Sequence, residues 1–170
     1  METSIPALFV AAIFMLGTVL VGRGGFIGMD NVGQSLRASE ARNLERTGTE
    51  LSVASTSIDG SGANVTITVR NDGQTPIGEY SRMDVLVQYF GETATRYDKW
   101  IAYTSGALAS DTWTTGTFTD DVFEPGILNP GETMEILVRV NPVVGAGTTN
   151  KAVIASEQGV TTQTLFAGPP

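Results

Sequence analysis

The sequence contains no cysteine and no histidine. Those two absences remove the Cys/His zinc site, the disulfide, the thiol nucleophile and the imidazole general base, and leave only an all-carboxylate or lysine-based site for catalysis. Cations are scarce as well: ten Lys plus Arg stand against 18 Asp plus Glu, for a net charge of -8. Nucleic-acid binding draws on counterion release by clustered cations. No such cluster occurs, so nucleic acid is excluded as a partner. Neither a P-loop signature nor a nucleophile-elbow signature is present, and the chain is read as a non-enzyme that needs no cofactor. The lack of cysteine leaves the compartment open, because an exported chain need not carry disulfides. What the sequence does have is 20 Gly and 33 Ser plus Thr in 170 residues, a composition of short strands and turns in one domain of ordinary size plus something small.

The apolar residues are concentrated at the N-terminus. Ile5 to Gly22 is an uncharged run, and as a helix its 18 residues cover roughly 27 Å, close to the hydrocarbon thickness of a bilayer. No cation precedes the run and Val-Gly-Arg-Gly-Gly follows it, whereas a secretory signal places positive charge before and small residues at a cleavage site after. The run is therefore expected to be retained. A plain membrane anchor is one reading. It places the C-terminal part in the cytoplasm, since Arg23 follows the run, and that conflicts with an acidic, Ser/Thr-rich β domain. The conflict disappears if a basic leader once preceded Met1.

Helical patterning continues beyond the run. Between Asp30 and Thr49 the apolar Val32, Leu36, Ala41 and Leu44 recur at roughly helical spacing among Arg and Glu. One helix from about Thr3 to Gly48 would be near ~70 Å long. Gly17, Gly22, Gly24, Gly25, Gly28 and Gly33 all fall inside it, each costing about 1 kcal/mol relative to alanine. Gly24 and Gly28 form the G-x-x-x-G spacing that lets apolar helices approach closely. Two readings follow: a break between a membrane helix and a soluble one, or a helix that packs against copies of itself.

After Thr47-Gly48-Thr49 the period changes to strict alternation. Val65, Ile67 and Val69 share one face and Asn64, Thr66, Thr68 and Arg70 the other. Similar runs at 50–58, 83–90, 99–104, 112–118, 133–140, 152–156 and 160–166, separated by Gly, Asn and Pro turns, predict seven or eight strands in an immunoglobulin-like antiparallel β-sandwich. The fold class is thus α+β, with a long N-terminal hydrophobic helix over 1–48 and a β-sandwich over 49–170. Asp59-Gly-Ser-Gly is the clearest hairpin. Most aromatic residues of the β domain, Tyr80, Tyr89, Phe90, Tyr97, Trp100, Tyr103, Trp113, Phe118 and Phe123, are expected in its core, with an exposed subset available to a neighbouring subunit. Asp120, Asp121 and Glu124 share a loop and are weak candidates for a cation, although their spacing matches no EF-hand. Asn64-Val65-Thr66 is an N-glycosylation sequon, which makes Asn64 a candidate acceptor.

An apolar N-terminal helix without a leader, an amphipathic extension and an acidic all-β domain together resemble the mature archaellins, or archaeal-type flagellins, of the type IV pilin-like superfamily. The stretches ANVTITVRNDGQTPI (63–77) and ILNPGETMEILVRV (127–140) look like paired strands of archaellar β domains. The fifth position, where bacterial type IV pilins carry glutamate, is Ile5, which favours an archaellin. The resemblance implies removal of a basic leader by a prepilin-type peptidase, assembly of many copies into an extracellular helical filament, and a cytoplasmic ATPase with a membrane platform as assembly partners. The leader expectation requires Met1 to be the first mature residue and lapses if Met1 is the translation start. The assembly surface is then expected over Leu8 to Ile27, with Leu8, Phe9, Ile13, Phe14, Met15, Leu16, Leu20, Gly24 and Gly28 making the contacts. An adhesive pilus-like subunit, and a membrane-anchored stator or envelope-binding β-sandwich, would use the same parts.

Overall fold

The computed structural model describes residues 9–10, 12–16 and 34–170. The chain divides into two compact units, 1–43 and 44–170. Helical residues in the described part are 9–10, 12–16 and 34–48. A single helix running from Thr3 to Gly48 therefore lies partly outside the described residues, as does every glycine named above in that stretch.

The second unit is built from β1 (Leu51–Ile58), β2 (Asn64–Asn71), β3 (Asp84–Phe90), β4 (Arg96–Tyr103), β5 (Thr112–Thr119), β6 (Thr133–Arg139), β7 (Thr149–Ala155) and β8 (Thr161–Ala167). Each expected strand is present. Two begin three residues early, β4 at Arg96 and β7 at Thr149. The extra residues are polar on one side, but Phe90 opposite Arg96 and Ala167 opposite Thr149 supply the pairing that composition does not reveal.

Hydrogen-bonded neighbours run in the order β1-β2-β6-β5-β4-β3-β7-β8. The first four strands form one layer and the last four the other. The two layers also meet at their outer strands, where the Thr56 hydroxyl donates to Thr164 Oγ1 at 3.4 Å, so the sheet is close to a closed, barrel-like sandwich. One expectation needs correction. All pairings are antiparallel except β4 with β5, which is parallel over Ala102↔Thr112 and Tyr103↔Trp113. This is where the hydrogen-bonded sheet passes from one layer to the other, and residues 104–111 need only place the start of β5 beside the end of β4.

Alternation puts one face of every strand inside. Val65, Ile67 and Val69 of β2 lie opposite Val138, Ile136 and Met134 of β6, and all six are buried. The two stretches quoted above, 63–77 and 127–140, are thus directly paired, and an isolated bridge between Ile77 and Leu128 extends the match. From the other layer come Val85, Val87, Tyr89, Ile101, Ala152, Ile154 and Phe166. Trp113 is fully buried, with the Tyr103 ring tilted against it at 4.8 Å.

The helix meets the sheet at a clamp within the second unit. The hydroxyls of Thr49 and Thr75 donate to the Glu45 carbonyl at 2.7 and 3.2 Å, satisfying an oxygen that a helix end leaves without an intrahelical donor. The Gly48 carbonyl accepts from the backbone N–H groups of Gln74 and Thr75, and that of Glu50 from Asp72 and Gly73. Buried Asn71 holds the turn that makes these contacts: its Nδ2 donates to the carbonyls of Thr75 and Leu128, and its Oδ1 accepts from Gly73 N–H.

Candidate assembly surface

Residues 9–10 and 12–16 are helical, and every one of them is apolar. Their large side chains are exposed, from 56% for Val10 to 74% for Met15. Phe9, Ile13, Phe14 and Leu16 lie between those limits. Side chains of this size gain about 1.5–3 kcal/mol each on full burial, and a contiguous apolar surface marks a contact with a partner or a membrane. Leu36 and Leu44 of the helical residues 34–48 are also exposed, while Arg42 turns back to donate to the Ala38 carbonyl. Of the nine expected contact residues, the structure describes Phe9, Ile13, Phe14, Met15 and Leu16. Leu8, Leu20, Gly24 and Gly28 lie outside the described residues. Among the described residues no helix is long and apolar enough to cross a membrane.

The other sequence candidates separate. Asp120, Asp121 and Glu124 do share the loop after β5, but no group of three carboxylates able to hold a metal forms among the described residues. Asp121 instead accepts from the Gly126 N–H at 3.2 Å. Asn64 lies at the start of β2, half-buried, with its Nδ2 donating to Asp59 Oδ2 at 2.6 Å. The acceptor nitrogen of the sequon is therefore already engaged by the hairpin.

Aromatic residues divide in a way that composition did not show. Tyr89 and Trp113 are fully buried, and Tyr80, Tyr97, Tyr103 and Phe118 pack partly buried against the core. Phe90, Trp100 and Phe123 are exposed. With them are exposed Leu86, Val122 and Leu165, which the reading of the sequence missed. A signal was available: Leu86 falls in phase with Asp84 and Gln88, and Leu165 with Gln163, on the polar side of the alternation.

A family model for archaeal-type flagellin matches residues 5–166, from within the apolar run to the last strand. The chain belongs to the archaeal-type flagellins. It is a structural subunit of the archaeal motility filament, found at the cell surface, and its family is structural rather than enzymatic. Solved structures similar to this flagellin include the archaeal flagellum of Methanospirillum hungatei strain JF1, at 14% identity and a TM-score of 0.52, covering 96% of this chain and 88% of that one. Flagellin FlaB1 from Methanocaldococcus jannaschii is similar at 14% identity and a TM-score of 0.53, over 71% of this chain and 90% of that one. The archaellum periplasmic stator protein FlaG from Sulfolobus acidocaldarius is similar at 19% identity and a TM-score of 0.52, over 69% of this chain and 99% of that one. At such identities these likenesses establish the fold alone. No curated protein matches the sequence.

Proposed function

We propose that this flagellin polymerises through its N-terminal helix, with residues 1–48 forming the filament core and residues 49–170 its outer surface. The observation that carries the reading is the match of the flagellin family from residue 5 onward, which includes the helix whose apolar side chains are exposed in the single chain. Leu8, Phe9, Ile13, Phe14, Met15, Leu16 and Leu20 make the contacts, and Gly24 and Gly28 allow close approach. The same surface serves two states. Before assembly the apolar helix sits in lipid, where its backbone is satisfied internally, and afterwards it is buried against other copies, so little apolar area meets water. A prepilin-type peptidase acting on the precursor, and a membrane platform with its ATPase, fit that transfer.

The expected outcome of Leu16→Asp in the full chain is loss of filaments in electron micrographs, with the circular-dichroism signature of the β domain retained. Filaments of normal length from that variant would reject the core assignment. The stator reading has the fold likeness to FlaG in its favour, but a stator is present in few copies and does not polymerise, so the same micrographs separate the two. An adhesive filament differs from a motile one only in a swimming assay. N-glycosylation at Asn64 belongs to this proposal as well; an intact mass equal to that of the bare polypeptide rejects it.

A further inference from the structure

Two exposed apolar features of the β domain have no role in its core or in the helix. The first is the tip of the loop after β5, Asp120-Asp121-Val122-Phe123-Glu124, where Val122 is 88% and Phe123 72% exposed. Three carboxylates flank these two side chains. The second is the outward face of the layer β4-β3-β7-β8. There Phe90 and Leu165 line a shallow hollow of about 170 Å³ together with Arg96 and Lys151. Lys151 lies in register between Gln88 and Leu165 and makes no ion pair among the described residues, while Arg96 reaches Asp98 at 3.1 Å with both side chains more than half exposed.

The two features lie at opposite ends of the domain. The Tyr80 hydroxyl donates to the Gly126 carbonyl beside the tip, and β3 runs from Asp84, just after Tyr80, to Phe90 in the hollow, so the two features are separated by about the length of β3, roughly 20 Å at ~3.3 Å per residue. One end thus presents an apolar tip among acids, and the other an apolar hollow among cations. Two complementary but different surfaces on one molecule make a heterologous contact, the kind that propagates as an open helix and does not close into a dimer.

We infer that the Val122–Phe123 tip of one subunit docks in the Phe90/Leu165 hollow of a neighbouring copy, with Asp120, Asp121 and Glu124 facing Arg96 and Lys151. The inference rests on the filament reading, which places identical copies next to one another. A second copy is the occupant because its own tip carries the charge and apolar character that the hollow complements. The contact adds to helix packing and is made in the outer layer.

The absence of native cysteine makes the test direct. Filaments of the F123C/L165C variant, oxidised and run without reductant, are expected to give a ladder of dimers, trimers and longer species, and either single variant none, since a disulfide requires Cα atoms within about 7 Å. A second pair, D121C/K151C, repeats the readout with both apolar residues intact. Filaments that form normally while neither pair gives a ladder overturn the docking and leave helix assembly standing. Dimers from F123C alone indicate a symmetric contact and overturn the head-to-tail arrangement. If the unsubstituted chain forms no filaments, the assembly reading fails, and the docking fails with it.

Discussion

Asp59 shows how much one side chain can organise. Its carboxylate accepts from the Ser61 hydroxyl, from the backbone N–H of Ala63 and of Asn64, and from Asn64 Nδ2. Desolvation works to raise its pKa, but the hydrogen bonds from Asn64, Ser61 and Ala63 together outweigh it and hold the carboxyl below its ordinary value. A depressed folded pKa means that the carboxylate stabilises the fold above the ordinary carboxylate range, and that this contribution drains away as pH falls through the lowered value. Asp59→Ala is expected to cost about 1–2 kcal/mol at neutral pH, read as a lower urea midpoint. The gap from the unsubstituted chain should close in strong acid, and a gap independent of pH would show that the charge is not what matters. The hairpin was legible in Asp59-Gly-Ser-Gly, since turn residues announce themselves locally. That Asp59 also engages the sequon's own amide was not, because it depends on the register of β1 against β2. Burial likewise raises the Tyr89 phenol to about 12, with Asp111 and then Tyr97 adding to the effect, and its inward position was legible, since it alternates in phase with Val85 and Val87.

At the scale of elements, the join between helix and sheet depends on an approach that only glycine permits. A Cβ on Gly73 would stand 2.4 Å from both the Glu50 nitrogen and the Gly48 carbonyl oxygen. Those are backbone atoms, so neither can swing aside. Gly73→Ala is expected to destabilise the β domain by about 1–3 kcal/mol and to expose the amides of residues 72–75 to faster hydrogen exchange; unchanged protection there would mean that the clamp is not rigid. Asn71-Asp-Gly could be read as a turn from sequence. Its function as a seat for the helix end could not, since 48–50 and 73 meet only after β1 and β2 have paired. Strand pairing shows the same division. Alternation in 63–70 and 133–140 foretold two half-buried strands, and the structure joins them as β2 and β6. The parallel step from β4 to β5 left no trace in composition, because alternation gives a strand's faces and says nothing of its direction.

For the whole molecule, the charge balance becomes a surface property. Residues 51–170 carry six cations against thirteen acids, so the net charge of -8 belongs almost wholly to the β domain. Like charge on a filament exterior keeps filaments apart. Lowering the pH toward the isoelectric point near 4.4 is expected to bundle them, read as a rise in light scattering and as side-by-side filaments in micrographs; filaments still dispersed there would show that charge does not govern their spacing. By itself the sequence determined what depends on short range: the uncharged apolar run, the change from helical to alternating period near Gly48, the turns, the strands and the missing chemistry of cysteine and histidine. Tertiary structure alone decided which strands are neighbours, that one pair is parallel, that Asp121 accepts from the Gly126 N–H, and that Phe123 stands exposed at the tip of its loop. The physical reason is that periodicity is set by neighbours a few residues apart, whereas layer order and exposure depend on contacts between segments far apart in the chain, whose sum no local pattern records.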